Sequence, residues 1–369
     1  MGKKSNEKRK RLVLIGAGHG NLHLVKNASI LQQRKYEITL ISPTDFNYNG
    51  VAPGIIGTKY PEDFGKFPCQ CHIDKVGGRY YQNEVTKINV KERIVFLEDK
   101  KSIQFDYLSI NIGGRVPINE INGTSRYSFP TMPVEQLWQF NNKLRTILRK
   151  KPKTIAITVI GGGAAGVEVA GNVHQLVKSQ GIIPMISMIT RGKTLLPKFP
   201  TKASLKVLKL FQKRGIEVKL ECEVKELEEK QAILSGKIKL PFDLCVMAIG
   251  IRPNKLETQE ILQTTKTGEI IVNAYLQSIN HPNIFASGDC SYFEPQPLWK
   301  SGFHAINQGP ILLKNLIAIS KGLKLYEYKP TKRIQTALYL GDVTGLLIIG
   351  KFSYLGKLSF IIKDYIERR

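Results

Sequence analysis

A chain of 369 residues with 42% hydrophobic and 23% charged residues has the composition of an ordinary globular protein with two or three domains. It has no apolar run of about 18 residues, as a transmembrane helix needs, and no apolar segment follows its charged N-terminus, as in a secretory signal peptide. A cytoplasmic location is therefore predicted. The net charge of +25 attracts polyanions, either nucleic acid or an anionic membrane surface. Because no aromatic-interleaved RNA motif is present, no nucleic-acid partner is predicted.

The first recognisable element is RLVLIGAGHGNLHLV, residues 11–25. Its apolar run 12–15 is typical of a buried parallel strand, and apolar residues at helical spacing follow. Gly16 and Gly18 match the first two positions of the dinucleotide fingerprint G-x-G-x-x-G, which make a tight turn and let backbone approach a pyrophosphate. The third position, which lets the helix pack closely on the strand, is Asn21. A glycine-rich turn without a ligand remains an alternative for this segment taken alone.

The histidines and cysteines suggest neither a metal site nor a disulfide. His19 and His23 in this first loop have the i, i+4 spacing of a metal pair, but no third ligand is apparent nearby, so no metal site is predicted. Five scattered cysteines fit free thiols in a reducing compartment. Cys69 and Cys71 are too close together for the usual C-x-x-C spacing.

The segment YEITLIS predicts the second strand of this first unit. Dinucleotide-binding units usually carry an acidic residue at its end, about 20 residues beyond the loop, which holds the ribose hydroxyls. Here the strand ends in Ser42, and Asp45 follows three residues later. A serine can bond a ribose hydroxyl without charge assistance, so weaker ribose binding is predicted. Residues 84–114 then indicate a short β-meander whose last run ends in Gly113 and Gly114.

A second strand, glycine loop and helix is predicted at residues 154–176. Gly161, Gly163 and Gly166 supply all three glycines of the fingerprint. A meander over residues 215–250 follows and closes on Gly250, as the first meander closes on glycine. Two such units far apart in the chain indicate two separate nucleotide-binding domains.

The second unit departs from the usual pattern where its second strand ends. The segment PMISMITRGKTLLP reaches Thr190 and Arg191, where NAD-specific units carry Glu or Asp. Arg191 is suited to a 2′-phosphate, which leaves both NADPH and NADH open. It is also one of 55 cations, so a plain surface charge is the alternative.

The segment HPNIFASGDC, residues 281–290, predicts a strand that ends at Gly288 and Asp289, followed by a long helix. An Asp at the carboxyl end of a strand can accept hydrogen bonds from ligand hydroxyls, and the helix would direct its positive N-terminus at an electron-rich ring. A helix-capping Asp is the alternative.

The last residues, 352–369, predict an amphipathic helix. Its apolar stripe and surrounding cations are Leu355, Leu358, Ile362, Tyr365, Lys357, Lys363, Arg368 and Arg369. This arrangement suits an anionic membrane surface. A helix docked on its own domain or at a homodimer interface is an equal alternative.

The order of these motifs resembles the pyridine nucleotide-disulfide oxidoreductases, flavoproteins with two dinucleotide-binding domains. Type II NADH dehydrogenases and sulfide:quinone oxidoreductases are the more similar members. The most similar is the flavoprotein domain found fused to selenide, water dikinase. The segments that carry the resemblance are GAGHGNLHL, ISPTDFNYNGVAPG, CHID, LSINIGG, VIGGGAAGVEVA, GFHAINQGPILLKNL and IIKDYIERR. Relatives usually continue beyond Arg369, which leaves open that an anchor has been lost.

The resemblance implies an α/β fold with two Rossmann-like domains. An FAD-binding domain would comprise residues 9–125 and 253–325, an NAD(P)-binding domain residues 126–252, and a C-terminal α+β segment, residues 326–369, would cover the flavin or lie on a membrane. It implies FAD and NAD(P)H as cofactors. The residues expected at FAD are Gly16, Gly18, His19, Asn21, Ser42, Pro53, Gly113, Gly288, Asp289 and Gln308. Those expected at NAD(P)H are Gly161, Gly163, Gly166, Thr190, Arg191 and Gly250. Glu168 is expected near the reacting rings, with a solvated helix glutamate as the alternative.

Disulfide reductases of this superfamily keep a cysteine pair that is absent here, since no cysteine precedes Cys69 and none lies in residues 126–221. The apolar loop YNGVAPGIIG suits a flat acceptor such as a quinone. Three interpretations stay open. One is an NAD(P)H:quinone oxidoreductase, peripheral on the inner face of the membrane. The second is a sulfur- or selenium-directed flavoenzyme using Cys71 or Cys290, and the third is a non-catalytic flavin-binding module.

Overall fold

The computed structural model describes residues 9–258, 262–331 and 335–368. The chain divides into two compact units, each assembled from three stretches. Unit 1 contains the segment ending at Asn47, Lys66–Gly114 and Arg252–Pro330. Unit 2 contains Tyr48–Gly65, Arg115–Ile251 and the segment from Thr331 onward. The assignment of cofactors to the predicted domains stays a prediction.

The secondary-structure elements of the described residues follow in chain order. The first fourteen strands are β1 Lys10–Ile15, β2 Tyr36–Ile41, β3 Phe46–Asn47, β4 Lys66–Phe67, β5 Arg79–Tyr81, β6 Val85–Asn89, β7 Ile94–Leu97, β8 Ser102–Gln104, β9 Tyr107–Ile110, β10 Gly114–Arg115, β11 Phe129–Pro130, β12 Thr154–Ile160, β13 Ile183–Ile189 and β14 Glu217–Lys219. The remaining strands are β15 Val224–Glu228, β16 Gln231–Leu234, β17 Lys239–Pro241, β18 Leu244–Met247, β19 Arg252–Pro253, β20 Glu257–Thr258, β21 Ile270–Val272, β22 Gln277–Ser278, β23 His281–Ala286, β24 Ser291–Phe293, β25 Gln335–Tyr339, β26 Gly345–Ile349 and β27 Phe352–Gly356.

The α-helices are α1 His19–Lys26, α2 Ala28–Gln33, α3 Ala52–Ile56, α4 Cys69–Asp74, α5 Thr124–Tyr127, α6 Val134–Leu148, α7 Ala164–Ser179, α8 Thr201–Lys213, α9 Gly302–Ser320 and α10 Lys357–Glu367. Short 3-10 helices form at Asn49–Val51, Ser235–Lys237 and Gly288–Cys290.

Unit 1 is built on an eight-stranded sheet in the order β24-β21-β22-β23-β9-β1-β2-β5. Strand β1 lies at its centre and pairs in parallel with β2 and β9, with Leu14 opposite Leu40 and Ser109. Its last four residues are fully buried, as the continuous apolar run 12–15 predicts. The predicted meander forms a separate sheet in the order β20-β6-β7-β8. The parallel strands therefore bring the ends of β1, β9 and β23 to one edge.

Unit 2 repeats this plan with a parallel sheet in the order β11-β18-β12-β13-β14. Helix α7 covers it, and its buried side chains Val167, Val169, Ala170 and Val173 join a core with Val159 and Ile186. The second predicted meander forms the antiparallel sheet β15-β16-β17. A third sheet, β25-β26-β27, is antiparallel and packs against α10. The predicted α/β fold is confirmed.

Two local predictions differ from the structure. The helix after the first loop breaks at Asn27 into α1 and α2, and the Asn27 side-chain amide donates to the carbonyl of His23 (2.8 Å). This side-chain bond competes with the helical backbone bonds. The C-terminal helix begins at Lys357, so Leu355 lies in strand β27 and is not part of its stripe. Arg369 lies outside the described residues.

Candidate functional site

The first glycine loop packs closely against Asn111, the residue that follows strand β9. Gly16 has φ +82°, and its amide donates to the carbonyl of Ile41 (2.8 Å), next to Ser42. A Cβ on Gly18 would lie 2.1 Å from Asn111 Oδ1. Any larger residue at Gly18 would collide with Asn111, so the loop has no room for side chains on this side.

Asn21 at the third fingerprint position is buried. Its side-chain amide donates to the carbonyls of Ile15 (3.0 Å), Gly16 (2.8 Å) and Ser109 (3.2 Å). Its oxygen accepts from the hydroxyl of Ser109 (2.7 Å). The side chain thus occupies the space between helix α1, the loop and β9, and its amide bonds are made to protein.

Asn111 is the residue of this region that sequence reasoning missed. Its Oδ1 accepts from the amide of Gly20 (3.0 Å), and its amide donates to Ser287 Oγ (3.0 Å), next to Gly288. The only available signal was an amide side chain directly after the buried run of β9. Asn111 joins the two segments predicted to contact FAD.

The second of these segments places Gly288 and Asp289 in the 3-10 helix after β23. The amide of Gly288 donates to Gln308 Oε1 on helix α9 (2.7 Å). Ser301 caps α9 by accepting from the amide of Phe303, so Asp289 is not the cap of this helix. Gly288, Asp289, Ser301 and Gln308 line a cavity of about 360 Å³.

Three further residues predicted to contact FAD are His19, Ser42 and Gly113. Burial lowers the pKa of His19 to about 4, so its imidazole is neutral at physiological pH and brings no positive charge to the loop. The hydroxyl of Ser42 donates to the carbonyl of Thr44 (2.7 Å), which leaves its oxygen lone pairs as acceptors. Gly113 has φ +65°, and nothing lies within 4 Å of the position of a Cβ.

Pro53 lies within the predicted apolar loop, at the start of helix α3 in unit 2. Gly57, which ends this helix, lies very close to α7: a Cβ on Gly57 would be 2.3 Å from Oδ1 of Asn172 in that helix. Val51 and Ile55 are buried. The loop is therefore a packed element of unit 2.

The glycines of the second loop allow very close contacts between strand ends, the loop and the start of helix α7. Gly161 has φ +120°, and a Cβ there would lie 2.2 Å from the carbonyl of Ala248. A Cβ on Gly166 would lie 2.1 Å from the carbonyl of Gly161. Among the described residues, no hydrogen bond uses the amides of Gly163, Ala164 and Ala165 at the start of α7. These free donors form the kind of site that binds a phosphate.

The remaining predicted nucleotide residues lie beside this loop. The amide of Gly161 donates to the carbonyl of Ile189 (2.8 Å), which precedes Thr190. Arg191 is largely exposed, and its Nη1 lies 3.8 Å from Glu223 Oε1. Gly250, beyond β18, has φ +115° and open space around its Cβ position.

Glu168 on α7 is buried, so the solvated alternative is wrong. Its Oε1 accepts from the amide of Tyr339 (2.8 Å) and lies 3.9 Å from Lys363 Nζ. Burial raises the pKa of Glu168 to about 7, although Lys363 opposes the shift. Glu168 therefore changes its protonation state near neutral pH.

Lys363 is buried, so the prediction that it is a surface cation is wrong. It pairs with Glu367 on the same helix and lies 3.4 Å from the carbonyl of Gly50. The outer face of α10 is instead apolar, with Leu358 56% and Tyr365 55% exposed. Helix α10 thus buries the charged pair Lys363 and Glu367, while its exposed face carries apolar side chains.

All five cysteines lie in the described part of the chain, and each is a free thiol there. Those at 69, 245 and 290 are buried, and burial raises the pKa of both Cys69 and Cys290 to about 11. Cys71 is exposed. Within the described residues, no three His, Cys, Asp or Glu side chains are grouped to hold a metal ion. No described helix is both long enough and apolar enough to cross a membrane.

Comparison with known proteins gives a consistent result. The sequence model of the pyridine nucleotide-disulphide oxidoreductase family matches residues 10–309. A type II NADH:quinone oxidoreductase of Staphylococcus saprophyticus is 25% identical over 385 residues, 98% of this chain and 95% of that protein. The enzyme of the same name from a Staphylococcus aureus strain is 27% identical with the same coverage.

Solved structures share the fold. The sulfide:quinone oxidoreductase of Aquifex aeolicus superposes with a TM-score of 0.82 at 18% identity, over 97% of this chain and 90% of that one. NDH2 of Plasmodium falciparum in complex with NADH gives 0.79 at 17% identity, over 98% of both chains.

Proposed function

The chain belongs to the pyridine nucleotide-disulphide oxidoreductase family, and from this premise we propose that it is a flavin-dependent NADH dehydrogenase that reduces a quinone. The observation that carries the proposal is the nearly full-length match to relatives named type II NADH:quinone oxidoreductase. No described cysteines are paired, which disfavours a disulfide reductase. The relation to the flavoprotein domain fused to selenide, water dikinase stays a prediction.

The loop of unit 1 fits the diphosphate of FAD. Gly16 and Gly18 leave it free of side chains, and Asn111 fixes its backbone from behind. Asp289 and Ser42 supply acceptors for hydroxyl groups, and Gln308 fixes the backbone of Gly288. These residues would hold FAD, which would supply the hydride- and electron-transfer chemistry between the nicotinamide and the acceptor.

The loop of unit 2 fits the diphosphate of NADH. The three unused amides at the start of α7 donate to phosphate oxygens, and the N-terminal end of this 16-residue helix favours negative charge. Gly163 has nothing within 4 Å of its Cβ position, so the diphosphate has space there.

Glu168 supplies a proton to the reduced acceptor. Its pKa of about 7 keeps a substantial protonated fraction at neutral pH, and burial excludes competing water. The amide of Tyr339 fixes the carboxyl group, and Lys363 stabilises the carboxylate that remains after proton transfer.

The outer face of α10 lies on an anionic membrane surface. Its exposed apolar side chains are Leu358, Ile361, Tyr365 and Ile366, and the exposed cations Lys357 and Arg368 flank them. Apolar groups and cations together bind such surfaces. A membrane-soluble quinone would then be within reach.

The function is tested with the purified protein under anaerobic conditions. NADH should bleach the flavin absorbance, and a short-chain ubiquinone or menaquinone should restore it. Flavin that NADH cannot bleach would reject the dehydrogenase, and bleached flavin that no quinone reoxidises would reject the acceptor.

The membrane surface is tested by co-sedimentation with vesicles. Wild type should sediment with phosphatidylglycerol vesicles, and Leu358→Glu with Ile361→Glu should abolish this. Leu205→Glu is the control, because Leu205 is 51% exposed on α8 of the same unit. A dimer in solution that the double variant dissociates, without vesicle binding, would assign this face to a second copy instead.

A further inference from the structure

The end of strand β13 lacks the carboxylate that usually selects between NADH and NADPH. A carboxylate there accepts hydrogen bonds from the adenosine ribose hydroxyls of NADH and repels the 2′-phosphate of NADPH. In this chain the strand runs into Thr190 and Arg191. The surrounding backbone determines whether another acidic residue reaches this position.

The segment between β14 and β15 runs beside the end of β13. The amide of Cys222 donates to the carbonyl of Thr190 (3.0 Å), and that of Glu221 donates to the carbonyl of Gly192 (3.1 Å). These bonds bring the next residue, Glu223, beside Arg191, with 3.8 Å between Oε1 and Nη1.

The two oxygens of Glu223 have different surroundings. Oε2 pairs with Lys225, which holds the carboxylate in place. No hydrogen bond within the described part of the chain reaches Oε1. The side chain of Glu223 is 39% exposed, so Oε1 is an available acceptor at the surface of the unit.

We infer that Glu223 takes the place of the missing carboxylate and makes unit 2 selective for NADH over NADPH. The inference rests on the proposed use of a nicotinamide dinucleotide. A ribose diol donates to Oε1 without disturbing either ion pair. A 2′-phosphate meets the negative charge of Glu223, which opposes the attraction of Arg191.

The same geometry assigns Arg191 a different role from the one its sequence position suggests. Arg191 compensates Glu223 and orients it, so it is a positioning residue rather than a phosphate ligand. Arg191→Ala should therefore weaken NADH binding by a few-fold, since a largely exposed ion pair contributes little.

The test uses calorimetric binding of ADP-ribose and 2′-phospho-ADP-ribose, which contain the adenosine half of each nucleotide, to the FAD-loaded protein. Wild type should bind ADP-ribose about tenfold or more tightly than its 2′-phosphate. Glu223→Gln should weaken ADP-ribose by about tenfold and strengthen the 2′-phosphate, since a charge-assisted hydrogen bond contributes about one to two decades.

Two variants make the result specific. Glu217→Gln removes a neighbouring carboxylate that pairs with Lys219, and it should leave both affinities unchanged. Thr190→Glu added to Glu223→Gln restores a carboxylate at the usual position and should recover the preference for ADP-ribose.

The outcomes separate this inference from the proposed function. A wild-type preference for the 2′-phosphate, or an unchanged preference in Glu223→Gln, would overturn the role of Glu223 while NADH bleaching of the flavin still supports the dehydrogenase. Normal selectivity without flavin bleaching would support Glu223 and reject the dehydrogenase.

Discussion

The two glycine loops share one backbone frame. In unit 1 the amide of Gly16 donates to Ile41, and in unit 2 that of Gly161 donates to Ile189, both at 2.8 Å. On the other side, the amide of Asn111 donates to Ile15 (2.8 Å) and that of Ala248 to Ile160 (2.7 Å). These outer bonds match in the two loops, but the amide of the second glycine in unit 1, Gly18, also donates to the carbonyl of Asn111 (3.2 Å), whereas the described residues show no such bond for Gly163.

The third fingerprint position shows the difference most clearly. In unit 2, Gly166 lets α7 approach so closely that a Cβ would lie 2.1 Å from the loop carbonyl. In unit 1, Asn21 fills the corresponding space and replaces backbone contact by four hydrogen bonds of its side chain. The third glycine thus reflects how closely the helix is packed, and a buried amide is an alternative solution.

The donors of the loops differ as well. Asn111 accepts from the amide of Gly20 in unit 1, whereas Ala248 at the equivalent place in unit 2 has no polar side chain. Unit 1 is held by its own hydrogen bonds, and unit 2 leaves three amides for a ligand. Unit 1 therefore offers fewer free backbone donors at its loop than unit 2.

The largest expected effect comes from Gly166→Ala, which should push α7 away from its loop. We expect NADH to bleach the flavin at least about a hundredfold more slowly, because displacements of about 1 Å have that effect. Flavin should stay bound. Stopped-flow absorbance gives the rate. Gly163→Ala should leave thermal unfolding unchanged and weaken NADH binding alone, and full activity in Gly166→Ala would show that the close contact is dispensable.

The next largest effect concerns the residue seven positions beyond the first glycine of each loop, Glu168 in unit 2 and His23 in unit 1. Quinone reduction should slow as pH rises through about 7, because Glu168 then loses its proton. Glu168→Gln should remove this dependence and lower the rate at pH 6 about a hundredfold. His23→Gln should keep the wild-type profile. A pH profile of Glu168→Gln like that of wild type would reject the proton donor.

A moderate effect is expected from Asn21→Gly, which restores the third glycine to unit 1. The variant loses the hydrogen bonds of a buried amide, so the free energy of unfolding should fall by about 2–4 kcal/mol, with lower flavin content. Thermal unfolding and the ratio of flavin to protein absorbance measure this. Asn21→Ala loses the same hydrogen bonds without the low helix propensity of glycine, so it separates the two effects. As a control, Asn307→Ala removes one exposed side-chain amide bond. Improved stability in Asn21→Gly would show that the buried amide of Asn21 does not stabilise the first loop.

The smallest effect is expected from the thiols, since neither loop contains a cysteine. Cys71→Ser and Cys290→Ser should each keep NADH:quinone activity within about twofold, because Cys71 is unpaired and burial disfavours the thiolate of Cys290. Steady-state turnover checks this. Lost turnover with flavin still bound would favour the sulfur- or selenium-directed interpretation.

Sequence patterns predicted the repeated elements because those elements depend on neighbouring residues. Apolar runs and glycine spacing located β1, β12 and the helices after them. The role of Asn111 was not predictable, since its partners Gly20 and Ser287 lie 91 and 176 residues away. Lys363 was predicted as a surface cation because the groups that enclose it from other elements, Glu168 and the carbonyl of Gly50, are distant in sequence, although Glu367 lies only four residues away.

The surroundings of Glu168 also constrain how unit 2 folds. The bond from Tyr339 spans 171 residues, and the contact of Lys363 with Gly50 spans 313. A nascent chain that has already made the second glycine loop still lacks the lysine that compensates the buried carboxylate. Contacts over such separations form slowly, so unit 2 should reach its final packing only after synthesis has passed Lys363.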